Sequence, residues 1–153
     1  MTPLLPKTAK SRLSSETLHA STVALDGRAV MIFGPSGSGK SDLALRLLDR
    51  GFILVSDDQT IVRRDGERVV ASAPPTIAGK LEVRGVGIFA MDHVSDVPVA
   101  LLVELTSDIQ RLPDDSRERP ILGVPLPLIS IDAMAASAAS KAALALDRLG
   151  RKL

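Results

Sequence analysis

The chain of 153 residues has no cysteine, no tryptophan and no tyrosine, and its aromatic content is three phenylalanines. Without cysteine there is no disulfide framework, no thiolate metal site and no cysteine nucleophile, and the composition fits a reducing compartment. An excess of one charge is missing too, since 19 Lys and Arg stand against 18 Asp and Glu, a formal net charge of +1. A dedicated nucleic-acid binder carries a strong basic footprint, so this balance argues against nucleic acid as a partner. No apolar run approaches the roughly 18 residues that cross a bilayer, and Met1 to Lys10 lacks the apolar centre of a signal peptide. The expectation is a cytoplasmic protein that does not engage a membrane.

What is present is enough for one core: 45% of residues are hydrophobic and 24% charged. We expect a single domain over residues 1–153, with 1–15 a loose lead-in that holds Pro3, Pro6 and several Ser and Thr without period. Thr22–Leu25 and Arg28–Phe33 flank Asp26-Gly27, the pattern of a β-hairpin. Leu43, Ala44, Leu47 and Leu48 recur at helical spacing, and Gly51 falls where a helix ends. Phe52–Val55 reads as a short buried strand running into Ser56-Asp57-Asp58-Gln59. A second hairpin is expected around Asp65-Gly66 and a strand over Leu81–Phe89, whose two glycines suggest a close backbone approach. Val97–Leu105 is an almost wholly apolar strand, Ser107–Arg119 a polar loop, and Leu128–Ile131 a last strand. Asp132 then caps a helix to about Leu149, with Met134, Ala138, Ala142, Ala145 and Leu149 on one face.

Between the second strand and the first helix lies Gly34-Pro35-Ser36-Gly37-Ser38-Gly39-Lys40-Ser41, in the strand-to-helix context that a phosphate-binding loop needs. Glycines let successive N–H groups point inward as an anion nest, and the helix N-terminus adds the positive end of its dipole. Lys40 suits the outer phosphates, and the Ser41 hydroxyl suits a Mg²⁺ held between phosphate oxygens. A Gly- and Ser-rich turn that happens to carry a lysine is the bland alternative. Asp57-Asp58 closes the next strand at the edge of the sheet where the phosphates would sit. Two carboxylates there offer one group to Mg²⁺ and another to an acceptor hydroxyl, or else form a solvated acidic turn.

Taken together, Gly34–Ser41, Ser56-Asp57-Asp58 and Leu81-Glu82-Val83-Arg84-Gly85-Val86-Gly87-Ile88 resemble the catalytic domain of HPr kinase/phosphorylase over roughly His19 to Ile131. The resemblance implies an α/β fold, a phosphate-loop domain with a mixed sheet like the nucleotide-binding core of phosphoenolpyruvate carboxykinase. It implies phosphorylation of a serine on the phosphocarrier protein HPr by Mg²⁺ and ATP, and phosphorolysis of phosphoseryl-HPr by inorganic phosphate, yielding pyrophosphate. On this resemblance Asp57 takes and returns the seryl proton beside Asp58, Ser41 and Glu82 contact Mg²⁺, and Arg84 serves phosphorolysis. His19 resembles a histidine near the acids, although a lone His in Leu-His-Ala also reads as structural. Arg111 resembles an arginine that faces the transferring phosphate, a duty that Arg117 or Arg119 would serve electrostatically as well.

Pro113 stands where the family pattern carries a glycine. With about twenty residues ahead of the hairpin, the chain looks like a short form without the family's additional N-terminal domain, and the family implies a homohexamer. Two other classes stay open on the residues alone. One is a nucleotide-dependent switch module, against which no guanine-reading tetrapeptide is found; the other is a small-molecule kinase, for whose acceptor lid the length leaves little room.

Overall fold

The computed structural model describes residues 14–109 and 117–153. Its strands are β1 (Ser15–Leu18), β2 (Ala20–Leu25), β3 (Arg28–Phe33), β4 (Ile53–Ser56), β5 (Thr60–Asp65), β6 (Arg68–Ser72), β7 (Lys80–Val83), β8 (Gly87–Ala90), β9 (Val97–Leu105), β10 (Glu118–Ile121) and β11 (Val124–Ile131). Helix α1 spans Lys40–Leu48 and α2 spans Ala138–Leu149.

The large sheet runs β1-β5-β6-β9-β3-β2-β4, with β11 parallel to β9 and β10 antiparallel to β11. At its centre β3 and β9 are parallel. Apart from these two parallel partners of β9, the strands pair antiparallel, so the expected mixed sheet is present. Strand β4 lies antiparallel to β2, which lies antiparallel to β3, so β4 and β3 point the same way with one strand between them. The acids that follow β4 and the loop that follows β3 therefore share one sheet edge.

Strand β9 shows why its sequence is apolar without alternation. A register shift between Ala29 and Val30 skips Ala100, a β-bulge that reverses the phase of the side chains. Before it Val97 and Val99 face one core; after it Leu101, Val103 and Leu105 face the other. The second of these cores packs under α1 and α2, with Leu43, Leu47, Ala142 and Leu146 against Val30 and Ile32. The first is built from strands alone, Met31, Val62, Val69, Leu102 and Leu126 among them, because the sheet curls over itself. Leu101, Leu102 and Val103 are fully buried, and truncating such a leucine to Ala costs about 2–5 kcal/mol.

Several expectations are corrected. Residues 1–13 of the lead-in lie outside the described residues, and Ser15 already belongs to β1, held by pairing with β5. The turn of the second hairpin is Gly66-Glu67 rather than Asp65-Gly66, since Asp65 pairs with Arg68 and Gly66 supplies the positive φ of 63°. Leu81–Phe89 is a hairpin, β7 and β8, not one strand: Gly85 (φ 81°) makes its turn, and a Cβ there would meet nothing within 4 Å. Glu118 and Arg119 leave the polar loop to form β10, turned into β11 by Leu122 and Gly123, both left-handed. Helix α2 begins at Ala138 with Ser137 in the N-cap position, five residues later than expected. Asp132 accepts the Met134 N–H in a local turn instead of capping it, which leaves Met134 91% exposed. Leu149 is likewise exposed, whereas Ala138, Ala142 and Ala145 are buried as the spacing predicts.

Candidate active site

The chain leaves β3 at Phe33 and turns through Gly34–Gly39 into α1. Gly37 (φ 79°) and Gly39 (φ 103°) take left-handed backbone that side chains resist, and a Cβ on Gly39 would also press Ala133 at 3.0 Å. The Ser38 N–H donates to Pro35 O at 3.0 Å, closing the loop, and Leu43 N–H donates to Gly39 O as α1 begins. Lys40 is buried, its Nζ donating to the carbonyls of Gly34 (2.8 Å) and Pro35 (3.2 Å). Its ammonium thus lies over the loop, drawing on the loop's own oxygens. The Ser38 hydroxyl is buried inside this turn without a partner among the described residues, filling the space that a Cβ on Gly34 would need.

The adjacent acids have separate surroundings. Asp57 is 6% exposed; its Oδ1 accepts the hydroxyls of Ser41 (2.6 Å) and Ser21 (2.9 Å), and its Oδ2 accepts the Glu82 N–H (3.0 Å). Asp58 has left-handed backbone (φ 68°), donates its N–H to Ser21 Oγ at 3.1 Å, and turns its carboxylate outward to His19 Nε2 at 3.2 Å. Both partners of that last pair are more than half exposed, so its worth is small, about 0–1 kcal/mol.

Loop, α1 and the β7–β8 hairpin enclose an open cleft of about 340 Å³. Asp58, Glu82 and Arg84 give it charge, and Leu45 and Val83 give it an apolar wall. The Arg84 guanidinium reaches over the loop, with Nη1 3.7 Å from the place a Cβ on Gly37 would take. Among the described residues no three His, Asp or Glu cluster to hold a metal by themselves. A hydroxyl such as Ser41 with one carboxylate such as Glu82 suits Mg²⁺, which keeps water and takes phosphate oxygens for the rest of its shell.

The fold therefore brings together Gly34–Ser41, Asp57, Asp58, His19, Glu82 and Arg84. Arg111 lies outside the described residues. Sequence reasoning missed Ser21, whose signal was a polar side chain two positions before Val23 and therefore on the core-facing side of β2. It also missed Glu104, at the β9 end beside Phe33. The Ser130 hydroxyl (2.6 Å) and then Arg117 Nη2 (2.6 Å) donate to Glu104 Oε1, and with the positive charge of Arg117 and Arg119 they hold its carboxyl below the usual glutamate range against the effect of burial. Arg119 itself stacks 4.5 Å over the Phe33 ring.

Comparison with known proteins gives the family. The family model described as the HPr serine kinase C-terminal domain matches residues 11–143, and the chain belongs to that family. The HPr kinase/phosphorylase of Prosthecochloris aestuarii is 39% identical over 129 residues, 76% of this chain and 38% of the relative. That of Latilactobacillus sakei is 36% identical over 128 residues, 75% of this chain and 41% of the relative. The chain thus spans about two fifths of the length of these relatives. A solved structure of the HPr(Ser) kinase/phosphatase from Coxiella burnetii superposes with a TM-score of 0.75 at 28% identity, over 86% of this chain and 89% of that one. No helix among the described residues is long and apolar enough to cross a membrane.

Proposed function

We propose that the chain is a single catalytic domain that phosphorylates a serine of HPr with Mg²⁺ and ATP, and removes that phosphate by phosphorolysis. The observation that carries the reading is the 2.6 Å contact of the Ser41 hydroxyl with Asp57 Oδ1, which sets a proton-accepting oxygen beside the phosphate loop. Family membership supports HPr as the acceptor, and the homohexamer and cytoplasmic setting implied by the resemblance belong to the same reading.

In the kinase direction the loop N–H groups of 37–41 hold the phosphates, and Lys40 exchanges the carbonyls of Gly34 and Pro35 for phosphate oxygens. Ser41 and Glu82 would hold Mg²⁺, which supplies neutralisation of charge on the phosphate oxygens. Asp57 accepts the seryl proton as the seryl oxygen bonds to the γ-phosphorus and the bond from that phosphorus to the β–γ bridging oxygen breaks, releasing ADP. In reverse, an oxygen of inorganic phosphate bonds to the phosphorus of phosphoserine, the bond from phosphorus to the seryl oxygen breaks, and Asp57 returns the proton. Pyrophosphate and free serine are the products. Arg84, over Gly37, faces the group in transfer, the duty that the resemblance also gives Arg111.

A second reading rests on the same contact. In many nucleotide-dependent switches an acid touching the metal-binding hydroxyl serves the ion alone, and no protein is phosphorylated. Transfer from γ-labelled ATP to HPr of the same organism, with Mg²⁺, separates the two. The expected result is label on an HPr serine, lost with Lys40→Ala and released as pyrophosphate when phosphate is added. ATP binding without any label on HPr overturns the kinase reading in favour of the switch.

A further inference from the structure

Ser21 is fully buried on β2, on the face it shares with Val23, and its cross-strand partner is Ile32; both neighbours are fully buried as well. A hydroxyl in such surroundings is costly unless every bond it can make is made. Here both bonds go to the acidic turn. Ser21 Oγ donates to Asp57 Oδ1 at 2.9 Å and accepts the Asp58 N–H at 3.1 Å.

One hydroxyl thus joins two features that the chemistry needs separately. It occupies one lone pair of Asp57 Oδ1 while the Glu82 N–H occupies Oδ2, so the carboxylate plane is fixed and the rest of Oδ1 turns toward the Ser41 hydroxyl at the cleft. It also anchors the peptide of Asp58, whose left-handed φ of 68° is unfavourable for a residue with a side chain. On the reverse face of β2 the same turn is stitched down again: Thr60 Oγ1 donates to Ala20 O at 2.8 Å and lies 2.8 Å from Thr22 Oγ1, with both threonines fully buried. Strand β2 holds the turn from both faces, but of its residues only Ser21 bonds the Asp57 carboxylate.

We propose that Ser21 is a positioning residue, which holds the Asp57 carboxylate in the orientation that accepts the seryl proton and couples that orientation to the Asp58 peptide. The proposal rests on the kinase reading above. It differs from a purely structural role in what it predicts for turnover and for nucleotide affinity, because no atom of Ser21 belongs to the phosphate loop.

The test compares Ser21→Ala and Ser21→Thr, the second keeping a hydroxyl on a residue that suits a strand. A hydrogen bond to a charged group corresponds to a factor of about 10–100, so Ser21→Ala should lower kcat by that much and leave the KM for ATP within about threefold. Ser21→Thr should recover most of the turnover. Exchange of the Asp58 amide with solvent deuterium, read by NMR, should speed up in Ser21→Ala and stay slow in Ser21→Thr. Wild-type kcat in Ser21→Ala overturns the proposal. So does an equal loss in both variants that follows their melting temperatures, since that is what a packing role alone would give. A wild-type protein that transfers nothing to HPr overturns the kinase reading instead; the Asp58 amide then still reports whether Ser21 holds the turn, and unchanged exchange in Ser21→Ala refutes the coupling.

Discussion

Among the described residues three aspartates, Asp26, Asp58 and Asp96, adopt nearly the same left-handed backbone, and the first two do so for different reasons. Asp26 (φ 52°) sits with Gly27 (φ 77°) in the two-residue turn between β2 and β3, closed by the pairing of Leu25 with Arg28. That conformation is what a tight hairpin of right-twisted strands requires, and the ladder on either side maintains it. Asp58 (φ 68°) joins β4 to β5, which pair with other strands and not with each other. No ladder closes its turn; the Gln59 N–H on Asp57 O and the Ser56 hydroxyl on Gln59 O close it locally, and Ser21 and His19 hold it from outside. A left-handed aspartate is therefore no sign of function by itself. Nor is a hold from another strand, since the Asp96 N–H (φ 57°) donates to Ser72 Oγ of β6 at 3.2 Å in the same way; what sets Asp58 apart is that the hydroxyl holding it also donates to Asp57 beside the phosphate loop.

The contrast can be broken most severely at the neighbouring acid. Asp57→Ala should lower kinase turnover by roughly 10²–10⁴-fold, the contribution of a positioned proton acceptor, while ATP still binds; normal turnover by that variant removes Asp57 from the base role. Next comes the matched pair Asp58→Ala and Asp26→Ala. Alanine resists left-handed backbone at both positions, so each should lose about 1–2 kcal/mol of stability in denaturant titrations. Only Asp58→Ala should also lose turnover, by about tenfold for the loss of the groups it orients. Equal turnover in the two would erase the distinction drawn here.

The smallest effect adds a third acid, one held by side chains yet serving the fold. Because the folded state holds the Glu104 carboxyl low, its ionised form stabilises the protein above the unfolded group's range, and this contribution fades as pH falls through the folded value. Glu104 is partly exposed, so Glu104→Gln should lower Tm at pH 7 by only about 1–3 °C, a difference that closes once the pH has fallen well below the usual glutamate range. A difference that persists in acid would mean that packing, not charge, is what Glu104 supplies.

Much of the site was legible because its signals are local. Gly34–Ser41 reads as a phosphate loop since strand and helix signals flank it directly, and Asp57 lands beside it because β4 is short and ends at Ser56. Where the pattern depends on distant partners, it misled. Glu118 and Arg119 look like loop residues and become strand only through pairing with Pro127 and Leu126. The glycines of 81–89 signal a special backbone without saying whether it is a turn or a close approach. Ser21 is the sharpest case. Its two bonds reach residues 36 and 37 positions away, so spacing carries no trace of them.

The parallel pairing of β3 with β9 bears on how the molecule folds. The strand that launches the phosphate loop finds its central partner some seventy positions later in the chain, Ala29 opposite Val99. Such a long loop closure is slow compared with making a local hairpin, so β2 and β3 can pair early while the loop still lacks its support at Leu105. The ability to grip phosphate then depends on a pairing of long sequence range. A nucleotide that selects the finished loop selects the closed sheet as well, and its binding energy accordingly resists unfolding of the whole chain.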